Sequence, residues 1–550
     1  MATKFKQDDW KKLSVKEKIG QTFIHMPNPE AEIRQYGNLK KFLEENPIGG
    51  MFSLNREGEN YAKNLLERYK EYLEACPIPL FHIDDMESGA GCNIKDLTHL
   101  PHIMSLGATN SEELAYNYGK ATAIEARCAG VSWAFTPVVD LPLNPINPMT
   151  NHRSVSDDPE MVVRLVSQII KGMQDNGVAA TLKHFPGDGV DFRDQHLVTS
   201  CNGLTMEKWW KYSGRAFQGC IDAGVYSIMP GHISLPAYQK ETKDGLYLPA
   251  TLSKELLTNL LKKEMGFKGV IVSDALVMSG FKGYYADEQA DIEAFKAGCD
   301  VMLWTTPNYM ENMIKAVESG EVSMERLDDA VERIWNLKMK VGLFDEDFEP
   351  GTPLTREISG FAQQTAQKTA EESITLLRDK KNQLPLKPDV HKKILLVGVA
   401  TLQKNFEPFN LLKKELEKRG AEVTLQKNLR FETDLQYQDT VSDQYDLIIF
   451  AINRYPHHPI GPQSFFGDEA ESIWSVNSID RNKTMVISFG NPFFFNEYFE
   501  AVHVYINAYS YVPATLEATA KALYGEIPFK GKSPVNLSLE KIKTAVELNK

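Results

Sequence analysis

The stretch that decides the fold is Gly269-Val-Ile-Val-Ser-Asp274, a short apolar run that ends in a carboxylate. Its β-branched side chains would point to both faces of a strand, which is typical of a strand buried in a parallel sheet. Seven further runs of this kind occupy residues 19–25, 48–54, 80–84, 132–138, 179–184, 226–229 and 301–304. The first part of the chain therefore contains eight candidate strands.

Helical segments separate these runs and carry their own start signals. Residues 110–113 (Asn-Ser-Glu-Glu) have the form of a capping box, and Asp158-Pro159 places a capping side chain before a proline of the first turn. Eight strands that alternate with helices predict an α/β fold, a (β/α)8 TIM-type barrel that spans residues 1–345. A doubly wound open sheet is the alternative that this pattern leaves open.

The chain after Phe344 predicts a second, smaller unit. Residues 346–390 are expected to be a linker with a helix and a short strand at 374–377. Residues 391–550 are expected to form a C-terminal α/β domain with a parallel sheet. His457-His458 of this domain are expected in a loop that could reach the barrel mouth. Because the sequence has no GxGxxG loop there, no dinucleotide is predicted.

Composition argues against several classes of partner. The 61 Lys and Arg residues against 74 Asp and Glu residues give a net charge of −13, which argues against a nucleic-acid partner. No apolar run approaches the roughly 18–20 residues of a membrane-spanning helix. The first residues are polar where a signal peptide would be apolar, and the six cysteines show no CxxC pair. We therefore expect a cytoplasmic protein with free thiols and no membrane contact.

Polar side chains mark the predicted active site, which in a barrel of this type lies at the carboxyl ends of the strands. Ionisable groups stand at the ends of several predicted strands or in the loops just after them, at Asp85, Arg153, Lys183, His184, His232 and Asp274. The basic members of this set are suited to bind a polyhydroxylated ligand through charge-assisted hydrogen bonds. Each of them could instead be an ion-pair partner at the barrel rim.

Asp274 is the strongest single candidate for a catalytic residue, because it follows a predicted buried strand rather than a mobile loop. A carboxylate that is held rigidly can act as a nucleophile or as a general base. The alternative is a structural carboxylate that accepts backbone N–H groups at the strand end.

Asp194-Gln195-His196 is the second candidate, in a loop rich in Gly and Asp after the fifth predicted strand. An Asp two residues from a His can bind one ring nitrogen and raise the basicity of the other, as a general base requires. Two alternatives stay open. One is a metal site made of Asp188, Asp191, Asp194 and His196, although the spacing matches no metal loop. The other is a solvated acidic loop.

These motifs together resemble a known family. LKHFPGDGVDFRDQH (182–196) and GFKGVIVSDALVMSG (266–280) are similar to two signatures of glycoside hydrolase family 3, in its β-N-acetylglucosaminidase branch. IDDMESGAG (83–91) resembles the Asp-x-Glu-Gly-Gly loop of the family, and NHRSVSDDPEMV (151–162) resembles its Arg-Ser segment. The C-terminal region is similar, more weakly, to the second domain of the two-domain members.

The resemblance implies a role for each matching residue. Asp274 would be the nucleophile that forms a glycosyl-enzyme intermediate in a retaining mechanism. His196, oriented by Asp194, would be the acid/base. Four residues would bind the terminal sugar, namely Asp85, Arg153, Lys183 and His184, and His232 resembles a strand-end position of the family pattern. No metal and no organic cofactor are implied, and the partner is a small carbohydrate substrate.

The sequence departs from the family pattern at three positions. Asp188 stands where the KHFPGHG motif has its second His, Ser88 replaces a Gly, and Gln195 stands where a small Ser is common. These departures leave the candidate nucleophile and dyad in place, and they bear on the leaving-group side of the substrate.

The expected activity is the exo-hydrolysis of terminal β-linked N-acetylhexosamine, mainly N-acetylglucosamine. A β-N-acetylglucosaminide phosphorylase is an alternative, because a neutral His acid/base repels an incoming anion less than a carboxylate would. A β-glucosidase is another, although it would leave the dyad without a role. The non-enzyme alternative is a silent sugar-binding protein, which would need neither Asp274 nor the dyad.

Overall fold

The computed structural model describes residues 4–53, 59–429, 442–456, 461–538 and 548–549. Within these ranges, eight parallel strands close into a ring. In chain order they are β1 (Phe23–His25), β2 (Gly50–Phe52), β3 (Phe81–Asp84), β4 (Trp133–Ala134), β5 (Thr181–Phe185), β6 (Ser227–Pro230), β7 (Val270–Ile271) and β8 (Met302–Leu303).

The strand neighbours show that the ring is closed. Strands β8, β1, β2, β3 and β4 form one sheet, and β5, β6 and β7 form another, with every pair parallel. Single bridges join the two sheets at both seams, from Trp133 to Ala179 and from Val272 to Val301. The predicted (β/α)8 barrel is therefore confirmed, and the doubly wound open sheet is excluded.

The first predicted strand is shorter than the apolar run suggested. Ile19 belongs to the helix Val15–Gly20, and β1 begins only at Phe23. The side chains of Ser14 and Glu17 bond each other's backbone N–H groups in a capping box. This cap fixes the helix start, and the helix takes in the first residues of the apolar run.

Helices surround the barrel and cover the outer faces of its strands. Asp158 caps the helix Pro159–Gln174 as predicted. The helix Glu112–Cys128 is capped by Ser111, whose side chain accepts the N–H of Leu114, one residue later than the predicted capping box would place it. The α- and π-helices of this part are Val15–Gly20, Pro29–Tyr36, Leu39–Glu45, Tyr61–Ala75, Met104–Thr109, Glu112–Cys128, Pro159–Gln174, Met206–Lys211, Ser213–Asp222, Glu255–Glu264, Ser279–Lys282, Asp287–Ala297, Tyr309–Glu318 and Met324–Lys340. None of the described helices is long and apolar enough to cross a membrane.

Large aromatic side chains fill the barrel interior. Trp133 contacts both Phe81 and Phe135 edge-on, and its indole N–H donates to Oγ1 of Thr181 at 2.8 Å. Because the interior is packed rather than open, a ligand can enter only at the loops above the strand ends.

A second sheet of six strands forms the C-terminal domain in the described residues. Its strands are β9 (Thr375–Asp379), β10 (Lys393–Val399), β11 (Glu422–Lys427), β12 (Leu447–Ile452), β13 (Thr484–Ser488) and β14 (Val504–Asn507), in the order β9-β14-β13-β12-β10-β11. All neighbours are parallel except β9 and β14. The helices around it are Glu407–Glu417, Asp468–Ser478, Phe494–Tyr498 and Pro513–Leu523.

The segment between the two sheets, residues 346–390, contains the expected helix at Arg356–Ser373. Its strand β9 pairs with β14 and so forms the edge of the C-terminal sheet. At the opposite edge, β11 is a strand that the sequence did not suggest. Its alternation of exposed and buried residues lacks the continuous apolar run of a central strand.

The C-terminal domain packs beside the barrel mouth. The carbonyl oxygen of Ile146, in the loop after β4, accepts the backbone N–H of Gln463 at 3.0 Å. Nδ1 of His102, in the loop after β3, lies 2.8 Å from Oγ of Ser510. The second domain therefore contacts the loops that carry the candidate site.

Candidate active site

A cavity of about 510 Å³ opens at the carboxyl ends of the barrel strands. Six of the residues predicted for the site line it, namely Asp85, Arg153, Lys183, His184, His196 and Asp274. Asp194 lies directly behind His196, and its side chain is buried. The fold thus brings together side chains that are up to 189 residues apart in the chain, since Asp85 and Asp274 line the same cavity.

Asp274 is held rigidly at the cavity wall. The preceding residue continues the barrel ladder, because the N–H of Ser273 donates to the carbonyl of Val301 at 2.9 Å. Oδ1 of Asp274 accepts the backbone N–H of Ala275 at 2.8 Å, and the residue is only 6% exposed. Burial alone would raise the pKa of Asp274, but the neighbouring imidazoles of His184, His232 and His196 hold that pKa below its ordinary value. The carboxylate is therefore ionised at neutral pH.

Asp194 and His196 form a bonded pair at the rim of the same cavity. Oδ1 of Asp194 lies 2.7 Å from Nδ1 of His196 and 2.9 Å from its backbone N. Because Asp194 engages Nδ1, Nε2 is the ring nitrogen suited to proton transfer.

A network of alternating charges covers a second wall. Nζ of Lys183 lies 2.9 Å from Asp85 and 2.7 Å from Glu87. Glu87 in turn accepts hydrogen bonds from Nε and Nη2 of Arg153, at 2.8 and 2.7 Å. Burial would raise the pKa of Glu87, but the charges of Arg153 and Lys183 hold it well below its ordinary value. The network fixes two cations at the cavity surface.

His184 is positioned by Asp140, a residue of the loop after β4. Oδ2 of Asp140 lies 2.8 Å from Nδ1 of His184, and both carboxylate oxygens accept the backbone N–H of His184 at 3.0 Å. Nδ1 is therefore engaged, and the ring presents its other nitrogen to the cavity.

His232 is placed differently from the expectation that it contacts the sugar. Its Nδ1 lies 3.0 Å from Oγ1 of Thr251, and its Nε2 lies 3.1 Å from the carbonyl of Ala275. The residue is fully buried, and it is not among the residues that line the cavity in the described structure. Because both ring nitrogens have protein partners, the ring supports the backbone beside Asp274 instead of facing a ligand.

Trp304 is a cavity residue that the sequence analysis did not single out. It follows β8 with a positive φ of 60°, a left-handed conformation that is uncommon for a residue other than glycine. Its indole Nε1 is buried and has no hydrogen-bond partner among the described residues. An unsatisfied donor in the wall of a binding cavity is suited to a ligand oxygen.

A second cavity of about 370 Å³ adjoins the first and shares Asp85, Glu87, Arg153 and His196 with it. Two tyrosines of the C-terminal domain, Tyr455 and Tyr511, line this cavity with their rings stacked at 4.7 Å. Sequence reasoning did not identify them, since only the packing of the two domains brings them to the barrel. His457 and His458 lie outside the described residues.

The second cavity has neutral imidazoles on its floor. The rings of His102 and His152 lie 4.1 Å apart. Burial lowers the pKa of His152 to about 3 and holds the pKa of His102 well below its ordinary value. This part of the surface is therefore polar, aromatic and uncharged at neutral pH.

The metal alternative finds no support in these contacts. Asp191 binds the guanidinium of Arg193 at 2.7 Å and accepts the backbone N–H of Cys201 at 2.8 Å. The described residues contain no group of three or more His, Cys, Asp or Glu side chains arranged to hold a metal ion.

Comparison with known proteins identifies the family. Residues 14–337 match the family model described as the glycosyl hydrolase family 3 N-terminal domain. The chain belongs to glycoside hydrolase family 3. The resemblance seen in the sequence motifs is thereby confirmed.

The similarity to known proteins extends over both domains. The chain is 33% identical over 485 residues to a protein of Cellulomonas fimi named beta-N-acetylglucosaminidase/beta-glucosidase, with 84% of each chain covered. Among solved structures, the beta-glucoside phosphorylase BglX is 30% identical with a TM-score of 0.84, covering 98% of this chain and 96% of that one. A family 3 beta-N-acetylglucosaminidase from Paenibacillus sp. str. FPU-7 is 27% identical with a TM-score of 0.82, covering 96% and 99%.

Proposed function

We propose that this family 3 protein is a retaining exo-glycosidase that removes a terminal β-linked N-acetylhexosamine, chiefly N-acetylglucosamine. The observation that carries the proposal is that Asp274 and the Asp194–His196 pair meet at one cavity. The names of the Cellulomonas fimi and Paenibacillus relatives support the N-acetylglucosamine preference.

The reaction proceeds in two displacements. In the first, the ionised carboxylate of Asp274 attacks the anomeric carbon, the glycosidic C–O bond breaks, and His196 transfers a proton from Nε2 to the leaving oxygen. In the second, the now neutral His196 takes a proton from water, whose oxygen attacks the same carbon and releases Asp274. The configuration at that carbon is retained because it is inverted twice.

The remaining cavity residues bind and orient the terminal sugar. Lys183 and Arg153 donate charge-assisted hydrogen bonds to its hydroxyl groups, and the exposed oxygens of Asp85 accept from others. His184 donates or accepts through its free ring nitrogen. The indole N–H of Trp304 donates to a sugar oxygen or to the acetamido oxygen, which satisfies a donor that is otherwise unpaired.

The leaving group occupies the second cavity. His196 lines both cavities, so it stands between the terminal sugar and the group that is released. The stacked Tyr455 and Tyr511 offer an aromatic face to the ring of that group.

A second candidate function is phosphorolysis, in which phosphate replaces water in the second displacement. The likeness to the phosphorylase BglX over 98% of this chain favours it. In the second displacement the incoming acceptor meets the imidazole of His196, which is neutral after the first proton transfer. An imidazole in this state repels a phosphate anion less strongly than a carboxylate would.

The test compares nitrophenyl β-N-acetylglucosaminide with nitrophenyl β-glucoside, each with and without phosphate. A preference for the N-acetyl substrate supports the proposal, and a rate that depends on phosphate supports phosphorolysis. The Asp274→Asn variant should lose at least about 10³-fold in turnover while it still binds N-acetylglucosamine. A wild-type protein that binds the sugar without turning over either substrate would contradict an enzymatic role.

We also propose a cytoplasmic location. All six cysteines lie in the described residues and are free thiols, four of them buried. This state suits a reducing compartment.

A further inference from the structure

Gln195 stands between the two residues of the dyad and is buried in a loop that also carries exposed side chains. Its side chain is fully buried, whereas Phe192 and Leu197 of the same loop are 55% and 52% exposed. A carboxamide that is buried completely costs free energy unless both of its polar atoms have partners.

Both polar atoms of Gln195 have partners, and these lie just beyond two different barrel strands. Oε1 accepts the backbone N–H of His232, which follows β6, at 2.8 Å. Nε2 donates to Oδ2 of Asp188, which follows β5, at 3.3 Å. One side chain therefore ties the catalytic loop to the ends of two adjacent strands.

Asp188 is itself a fixed anchor. Its Oδ1 accepts the backbone N–H of Gly189 at 2.6 Å and Nδ2 of Asn147 at 2.9 Å, and its own N–H donates to Asp140 at 2.8 Å. Burial and the nearby negative charge of Asp140 raise the pKa of Asp188 to about 6. With Oδ2 accepting from Gln195, both carboxyl oxygens of Asp188 are therefore held by hydrogen bonds.

Two glycines leave room for this arrangement. A Cβ atom at Gly231 would lie 2.6 Å from Oε1 of Gln195, and a Cβ atom at Gly280 would lie 2.3 Å from the backbone oxygen of Gln195. The second contact is with backbone, which cannot shift easily. The loop is therefore packed on both sides at the position of Gln195.

We propose that Gln195 is a positioning residue that latches the catalytic loop, so that the Asp194–His196 dyad stands at the cavity before a sugar binds. The role of the dyad rests on the proposed function, whereas the latch itself rests on the contacts above. Two of the three departures from the family pattern, at 188 and 195, are the two ends of one hydrogen bond. They are thus a single feature of this chain.

The test measures hydrogen exchange of the ligand-free protein in peptides that cover residues 187–200, for wild type, Gln195→Ala and Asp188→Asn. In Asp188→Asn the amide oxygen must keep accepting from its two donors, Gly189 and Asn147. The NH₂ group of the new side chain then faces Nε2 of Gln195, and because both groups are donors the latch bond is lost. We expect exchange to rise about tenfold or more in both variants, since the loop opens more often.

Activity supplies the second readout. The variants should lose about tenfold or more in kcat for N-acetylglucosaminides, with little change in KM, because the residues that bind the sugar are untouched. The double variant should lose no more than Gln195→Ala alone, since the bond that Asp188→Asn removes is already absent in that variant. If Gln195→Ala fails to fold, Gln195→Ser is measured in its place.

Gln239→Ala is the matched control. Gln239 is another buried glutamine with both polar atoms bonded, to Leu235 and Leu248 at 2.7 and 2.8 Å, but it lies outside the catalytic loop. Unchanged exchange in the latch variants, or an equal rise in Gln239→Ala, would overturn the latch. A wild-type protein inactive on every glycoside would overturn the proposed function instead, while the exchange data would still decide the latch.

Discussion

Oδ1 of Asp194 accepts two hydrogen bonds from His196, one from Nδ1 at 2.7 Å and one from the backbone N–H at 2.9 Å. A single carboxylate oxygen therefore fixes both the ring tautomer and the loop conformation that carries the ring. Such an arrangement lets a histidine serve as acid in one displacement and as base in the next.

The Asp194→Asn variant should separate this role from simple binding. Loss of the orienting charge is expected to lower kcat/KM about 10²- to 10⁴-fold for substrates whose leaving group needs a proton, such as alkyl N-acetylglucosaminides. A dinitrophenyl leaving group departs without a proton, so its kcat/KM should change far less. Equal losses for both substrates would show that Asp194 does not act through proton transfer.

Much of the fold and part of the site could be predicted from local sequence. A barrel strand that is buried on both faces must be an apolar run, which is why the segment before Asp274 was decisive. The dyad could also be predicted, because Asp194 and His196 are two residues apart and their contact needs no long-range packing.

The features of the site that could not be predicted depend on contacts between segments that are far apart in the sequence. Thr251 and the carbonyl of Ala275 occupy both nitrogens of His232, and nothing in the local sequence indicates these partners. Asp140 bonds His184 across 44 residues. Tyr511 reaches the second cavity only because the two domains pack together. The edge strand β11 was missed because its exposed face interrupts the apolar run.

The Trp304→Phe variant tests whether the unpaired indole N–H serves the ligand. Phenylalanine keeps an aromatic ring but removes the donor, so affinity for N-acetylglucosamine should fall about three- to tenfold, as for one lost neutral hydrogen bond. The melting temperature of the free protein should not fall, because no protein hydrogen bond is lost. Calorimetric titration and thermal denaturation measure the two effects.

The matched control is Trp133→Phe. The indole N–H of Trp133 is bonded to Thr181 inside the barrel, so this variant should lower the melting temperature. If both variants lowered it and sugar affinity were unchanged in Trp304→Phe, the assignment of Trp304 to the ligand would be wrong.

Glu87→Gln tests the charge network. Glutamine removes the charge that lies between Arg153 and Lys183, so the two cations repel each other with Asp85 as their remaining anion. We expect KM to rise about tenfold or more and the melting temperature to fall, because a largely buried pair is broken. In Glu112→Gln, which removes the exposed partner of Arg164, both quantities should stay nearly constant. If Glu87→Gln and Glu112→Gln changed KM and the melting temperature equally, the charge network would have no role in binding the sugar.

Lys338 gives a prediction on stability, remote from the cavity. Its ammonium group is completely buried, with Nζ bonded to Oε1 of Gln21 and to the carbonyl of Pro79 at 2.5 and 2.6 Å. Burial lowers the pKa of Lys338 from its ordinary value of 10.5 to about 7. Between these two values the unfolded chain binds more protons than the folded one, so stability should rise as the pH increases from 7 towards 10.

The expected slope from this group is at most about 1.4 kcal/mol per pH unit, the value for one proton. Melting temperatures of wild type and Lys338→Met between pH 6.5 and 9.5 would isolate the contribution of Lys338 to this slope, since the other titrating groups are common to both proteins. Methionine keeps much of the buried chain length but has no proton to release, so the wild-type protein should gain stability relative to the variant as the pH rises. Parallel pH profiles would mean that Lys338 keeps the same protonation state in the folded and unfolded chains over this range.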